Sequence, residues 1–116
     1  MKYMLLIYSN PENWAMLSED ESRAVMKEYL TFADDLRGSG EYVGGAPLQG
    51  PETATTVRVP AGSRTTTDGP YAETKEHLAG YFLVECDGLD RALELAARIP
   101  DARYGGAIEV RPLADM

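Results

Sequence analysis

Two ionisable side chains, Asp68 and His77, are the residues of this sequence best suited to proton transfer. His77 is the single histidine of the chain, and an unperturbed imidazole changes its charge near neutral pH. Asp68 precedes the rigid pair Gly69-Pro70, and partial burial against Tyr71 would suit its carboxyl group to act as an acid or a base. We predict that Asp68 and His77 are catalytic, provided that a carboxylate orients the imidazole.

Both residues also have a structural interpretation. An aspartate before Gly-Pro commonly accepts backbone N–H groups and so fixes a turn, and His77 would then be an exposed residue where that turn enters a strand. In the catalytic interpretation, a helical turn over residues 72–76 would place Glu73 four residues before His77 on one face, where its carboxylate could hold the ring.

Ligand contacts are predicted for four residues in and near this segment: Arg58, Tyr71, Glu73 and Lys75. Lys75 or Arg58 would attract an anionic group, because a local positive charge matters more at contact range than the net charge of the protein. Alternatively, Glu73 and Lys75 belong to a solvated surface, and Arg58 covers a sheet with its aliphatic stem. Trp14 could stack on a ligand or lie at the rim of an interface.

The composition favours one domain over residues 1–116. The formal net charge of the chain, -8, opposes direct binding to the phosphates of nucleic acid. Cys86 is the single cysteine, so no internal disulfide can form, and the apolar run at residues 3–8 is too short for a signal peptide or a membrane span. One histidine and one cysteine do not supply a zinc site, and we predict no metal and no cofactor. We expect a cytoplasmic protein.

The first third of the chain predicts a strand followed by a helix. Residues 3–8 are almost continuously apolar, which is typical of a buried strand. Ser18 and Glu21 have the spacing of a capping box, which marks the start of a helix, and Gly38 and Gly40 are predicted to end that helix. Between them, apolar residues recur at the spacing of an amphipathic helix: Val25, Tyr29, Phe32 and Leu36.

The middle of the chain predicts a returning strand and a hairpin. Residues 42–48 form the strand, in which Gly44-Gly45 indicates a bulge or a close approach of two backbones. Residues 53–59 and 63–67 are β-branched runs joined by Pro60-Ala61-Gly62, and this order is typical of a hairpin.

The last third predicts a second strand, helix and strand. Residues 79–86 form a strand with Gly80, Phe82, Val84 and Cys86 on one face. Asp87 is predicted to cap the following helix, which Pro100 closes. Its apolar stripe comprises Leu89, Ala92, Leu93, Ala96 and Ala97. Residues 107–113 form the last strand, with Ile108 and Val110 facing inward.

This order of elements predicts an α+β fold of the ferredoxin-like type, β-α-β, an inserted hairpin and β-α-β, with an antiparallel sheet and both helices on one face. The other face needs a cover, and a second copy packed face to face against it would bury it. Glu109 and Arg111 share a face of the last strand and would form an ion pair lining that interface. We therefore predict a homodimer.

The segment Asp68-Gly69-Pro70-Tyr71 resembles the DGPF motif of the YCII-related proteins, with Tyr71 in place of the phenylalanine. Residues 79–84 (AGYFLV) and 109–112 (EVRP) also resemble that family, so the resemblance covers nearly the whole chain. It implies a dimeric α+β barrel built from two ferredoxin-like sheets.

The chain departs from the shorter proteins that give this group its name. Those proteins carry a histidine on the first helix and an aspartate after the second helix, and this pair is proposed to perform acid–base chemistry. Here the helix position is Tyr29, and the later position falls near Ile99-Pro100, so we predict that the pair is missing. The resemblance then makes Tyr29 a substrate contact and leaves Asp68 and His77 as the nearest substitutes.

Two functions remain open from the sequence. In the first, the protein is an enzyme or a ligand-handling protein that holds a small molecule in a cleft around Asp68-Gly69-Pro70-Tyr71. In the second, it is a non-catalytic binding or regulatory module, because related DGPF proteins are often encoded beside, or fused to, extracytoplasmic-function sigma factors. An unpaired carboxylate in a pocket would favour the enzyme, and a shallow, solvated motif would favour the module.

Overall fold

The computed structural model describes residues 1–72 and 74–115 and contains six strands and three α-helices in this part of the chain. The elements in chain order are β1 (Lys2–Ser9), α1 (Pro11–Ala15), α2 (Glu19–Ser39), β2 (Tyr42–Pro47), β3 (Thr55–Arg58), β4 (Thr65–Asp68), β5 (His77–Glu85), α3 (Leu89–Ala97) and β6 (Ala107–Pro112). All predicted strands and both long helices are present. The short helix α1 was not predicted. None of the described helices is both long and apolar enough to cross a membrane.

Four strands form one antiparallel sheet in the order β2-β5-β1-β6. This order, with both long helices packed on one face, is α+β and compatible with the predicted ferredoxin-like arrangement. Leu5 lies at the centre of the sheet, opposite Phe82 on one side and Val110 on the other. Phe32 of α2 packs edge to face on Phe82, with the ring centroids 5.1 Å apart, so the core lies between this face and the helices.

The caps of α2 follow the sequence prediction. The Ser18 hydroxyl accepts from the Glu21 N–H at 3.1 Å, and the Glu21 carboxylate accepts from the Ser18 N–H at 3.0 Å. Gly40 ends the helix with φ of 80°, a left-handed conformation that favours glycine. Gly38 lies within the last turn rather than at the end of the helix.

The prediction for α3 was wrong in two respects. Gly88, not Asp87, is the N-cap, and it makes no side-chain capping hydrogen bond. The buried residues of the helix are Ala92, Leu95 and Ala96, whereas Leu89 and Leu93 of the predicted stripe are exposed. Six of its nine residues are leucine or alanine, so apolar side chains lie around most of its circumference, and packing against the sheet selects the buried face.

The face of the main sheet opposite the helices carries the strand residues that alternate with those of the core. Met4 lies opposite Leu83, and Leu6 lies opposite Tyr81. These four side chains remain partly exposed, whereas Leu5 on the helix face is fully buried. We call this surface the open sheet face.

The inserted hairpin is confirmed and forms a sheet of its own. Strands β3 and β4 pair with each other over four residue pairs, from Thr55 opposite Asp68 to Arg58 opposite Thr65. At the base of the hairpin, the Gly69 N–H donates to the Ala54 carbonyl oxygen at 2.8 Å. We call residues 54–69 the arm.

Candidate ligand-binding site

A buried carboxylate, that of Asp101, lies at the centre of the candidate site. The residue is 3% exposed and belongs to a single helical turn, Pro100–Ala102, directly after α3. The Trp14 indole N–H donates to Asp101 Oδ1 at 2.6 Å, and the Tyr29 hydroxyl donates to Oδ2. A carboxylate is tolerated in the interior only when hydrogen bonds replace those to water, and these two donors meet that requirement.

Local structure holds each member of this network in place. The Asp101 backbone carbonyl accepts from the N–H groups of Tyr104 at 3.2 Å and Gly106 at 3.1 Å, which fixes the turn. The Asn13 side-chain amide of α1 donates to the Tyr104 carbonyl at 2.9 Å, and the Trp14 ring lies 6.0 Å from the Tyr104 ring. Helix α1 is therefore attached to the turn that carries Asp101.

Burial strongly raises the pKa of the Tyr29 hydroxyl, and the hydrogen bond to Asp101 and the charge of its carboxylate raise it further. The hydroxyl is thus protonated at neutral pH and acts as a hydrogen-bond donor. A general base must lose its proton near the working pH, so Tyr29 is not suited to that role.

We expect this raised pKa to appear as a loss of stability in alkali. Tyr29 remains protonated in the folded chain, whereas an unfolded tyrosine ionises near pH 10. Its contribution to the free energy of unfolding is therefore complete below about pH 10 and falls as the pH rises further. In a titration of the absorbance near 295 nm, Tyr29 should ionise only as the protein unfolds.

The Tyr29→Phe variant should lack this late phase of the titration. The control is Tyr71→Phe, because Tyr71 is 80% exposed and lies outside the network, and this variant should retain the late phase. Loss of the phase in the control, or its persistence in Tyr29→Phe, would contradict the assignment.

An apolar cleft of about 340 Å³ lies beside this network, between α2 and the helix face of the sheet. One wall is the α2 side chains Met26, Tyr29, Leu30 and Ala33, and the opposite wall comes from Ile7, residues 45–47 and residues 79–82. Asp101, Ser9 and Trp14 line the same cleft and supply its polar groups together with Tyr29. The prediction of a close backbone approach at Gly45 is confirmed, since a Cβ atom there would lie 2.9 Å from the Tyr81 carbonyl oxygen.

A second depression, of about 580 Å³, lies on the outer surface between α2 and α3. It is larger but more open. Two of its arginines are already paired with carboxylates, Arg103 with Glu28 at 2.5 Å and Arg98 with Asp35. We therefore regard the less open cleft beside Asp101 as the better candidate for a binding site.

Most of the residues predicted from the DGPF-like motif lie outside this cleft. Asp68 is exposed at the end of β4, and Lys75 is also exposed. Tyr71 is exposed as well, and the Arg58 guanidinium lies 5.4 Å from the centroid of its ring. None of these four residues is among those that line the cleft beside Asp101.

His77 is the first residue of β5, where it pairs with Ser9 and is partly buried. Asp68 and His77 are both described, and no hydrogen bond or ion pair joins them. Glu73 lies outside the described residues. The other residues predicted to form the helical turn, 72 and 74–76, are described and are not helical, so that part of the prediction was wrong. Glu109 and Arg111, which were predicted to form an ion pair, are both described, and no ion pair joins them within the chain. Glu109 instead accepts a hydrogen bond from the Tyr8 hydroxyl at 3.5 Å.

Tyr29 was predicted from the sequence as a contact, whereas Asp101 was not. The position after the second helix was predicted near Ile99-Pro100, and the pair was predicted to be missing, whereas a carboxylate lies one residue later and contacts Tyr29. The sequence contained two signals. Proline often begins a helical turn, so the residue after Pro100 is held in a defined position. A tryptophan such as Trp14 carries an indole N–H that needs an acceptor wherever the ring is buried.

The chain is similar to proteins of a known family. The model of the YCII-related domain matches residues 1–116. The chain belongs to the YCII-related family. This YCII-related protein is also similar to an uncharacterized protein of Rhizobium meliloti (strain 1021), with 36% identity over 115 residues that cover 98% of this chain and 93% of the relative.

Proposed function

We propose that this YCII-related protein binds a small, largely apolar molecule without negative charge in the cleft between α2 and the sheet. The observation that carries the proposal is the buried Asp101 carboxylate, held by Tyr29 and Trp14 beside an apolar cavity. A volume of about 340 Å³ lies within the range of small-molecule sites. Few polar groups in an apolar cleft are typical of sites that orient a ligand through one or two hydrogen bonds.

The charge of the cleft supports the choice of ligand. Each Asp101 oxygen accepts one hydrogen bond from the protein and retains a further lone pair, which a ligand hydroxyl or amine could use. No lysine or arginine is among the described residues that line the cleft. An anion would therefore meet the carboxylate without a compensating charge, so the anionic ligand predicted from Arg58 and Lys75 is not supported at this site.

The Tyr29–Asp101 pair is better suited to binding a ligand than to acid–base catalysis. The tyrosine is protonated at neutral pH and cannot accept a proton there, whereas a histidine at the same position could. The exposed Asp68 and Tyr71 also favour a non-catalytic module over a catalytic centre at the DGPF-like motif. A module linked to a sigma factor would be one setting for such ligand binding.

We also propose that the chain forms a homodimer through the open sheet face, which would give the dimeric α+β barrel. The centre of that face is apolar, with Met4, Leu6, Tyr81 and Leu83. Charges of both signs surround the centre, from Lys2, Glu85, Glu109 and Arg111. A two-fold axis would place the open sheet face of one copy against the same face of the other copy. A specific interface of this kind would bury more than about 1,000 Å².

Three probes with the same ring test the ligand class: benzyl alcohol, benzylamine and benzoate. Trp14 is the single tryptophan and lines the cleft, so its fluorescence reports binding directly. We expect benzyl alcohol or benzylamine to bind at least tenfold more tightly than benzoate.

Filling the cleft should abolish this binding. Ala33→Phe places a ring among the lining residues, whereas Leu93→Phe, on the exposed face of α3, is the control. Thermal melts would verify that both variants fold. Preference for benzoate, or equal binding by the Ala33→Phe variant, would refute the proposal.

A further inference from the structure

We propose that the arm of one copy docks on the body of a second copy of this chain. Strands β3 and β4 form a two-stranded sheet separate from the main sheet, and among the described residues they pack mainly on each other. The radius of gyration of the chain is 16.0 Å, compared with roughly 13 Å for a compact domain of this length. A two-stranded hairpin is at best marginally stable alone, so an extended arm requires a surface to pack on.

The arm carries apolar side chains that are open to solvent within one chain. Val57 is 56% exposed and Val59 is 59% exposed, although valine favours the interior. The tip of the arm is a defined turn, where Ala61 and Gly62 have φ angles of 50° and 84°. These features are typical of an ordered element that presents a surface rather than of a solvated loop.

Charge identifies the occupant as a second copy. The arm, residues 54–69, contains two arginines, Arg58 and Arg64, and one acidic residue, Asp68 at its base, so it carries a net charge of +1. The whole chain has a formal net charge of -8, and the remainder therefore carries -9. A positive arm is complementary to the acidic body of another copy. The same acidic body would repel the phosphates of nucleic acid.

Hydrogen bonds at the base of the arm join its two strands to each other. The Gly69 N–H bonds the Ala54 carbonyl, and the Thr56 hydroxyl donates to the Gly69 carbonyl at 2.8 Å. Together with the four ladder pairs, these bonds make the arm one ordered unit. The proposal rests on self-association of the chain but not on the identity of the ligand in the cleft.

Photocrosslinking from the arm tests the proposal directly. Val57 is replaced by benzoylphenylalanine, and proteins grown with ¹⁴N and ¹⁵N are mixed and allowed to exchange subunits before irradiation. We expect crosslinked peptides that combine one light chain and one heavy chain. If crosslinked peptides carry a single isotope only, or if no crosslink forms, the arm does not dock on a second copy.

Charge reversal gives an independent measurement. Arg58→Glu with Arg64→Glu should weaken the dimer at least tenfold at low salt, and the effect should shrink in about 0.5 M salt, where screening is stronger. The matched control is Arg23→Glu with Lys27→Glu on the exposed surface of α2, which changes the net charge equally and should weaken the dimer less than twofold.

The outcomes separate this proposal from the open-face homodimer. A wild-type protein that is monomeric at micromolar concentration would overturn both. A stable dimer without crosslinks from position 57 between chains, or with equal affinity in the arm variant and the control, would overturn only the docking of the arm.

Discussion

Asp101→Ala is expected to lower the free energy of unfolding by about 3 kcal/mol, because it leaves the partly buried donors of Trp14 and Tyr29 without their acceptor. The melting temperature should fall by roughly 10 °C for a chain of this size. Urea denaturation measures the effect. Asp34→Ala is the control, since Asp34 is an exposed carboxylate paired with Arg37, and it should change the free energy by less than about 0.5 kcal/mol.

A double-mutant cycle distinguishes the network from a purely local effect at position 101. Once Asp101 is removed, Tyr29→Phe removes a hydroxyl that has already lost its partner, so the double variant should be more stable than the sum of the single changes implies. Additive changes would show that the two side chains do not interact energetically. An unchanged free energy in Asp101→Ala would contradict the importance of the carboxylate itself.

Leu83→Glu is expected to weaken the homodimer by a factor of about 100 or more. Leu83 lies opposite Met4 on the open sheet face, so a two-fold interface would bury a glutamate from each copy. A buried charge without a partner costs several kcal/mol, and each 1.4 kcal/mol corresponds to a factor of ten in affinity. Sedimentation equilibrium measures the change.

Leu93→Glu is the matched control for that variant. Leu93 is 48% exposed on α3, on the other side of the sheet, and its replacement should leave the dimer affinity within about twofold. Circular dichroism would verify that both variants retain their secondary structure. A wild-type monomer, or equal dimer affinity in Leu83→Glu and wild type, would refute the open-face interface.

The sequence by itself predicted the local elements of this protein. The Ser18–Glu21 capping box, the Gly40 stop and the hairpin about residues 60–62 follow from interactions between residues close in the chain. The alternation of Phe82 and Val84 likewise predicted the inward face of β5. Such patterns are readable because strand and helix periods fix which neighbouring side chains share a face.

Only the tertiary structure decided where the candidate site lies. Asp101 is separated by 72 residues from Tyr29 and by 87 from Trp14, so no local pattern brings the three together. Their contact depends on how α1 and α2 meet the turn after α3. Packing also selected the buried face of α3 and placed the DGPF-like motif at the base of an exposed arm. Distances between distant residues arise from the packing of whole elements, and the periodicity of one element does not contain them.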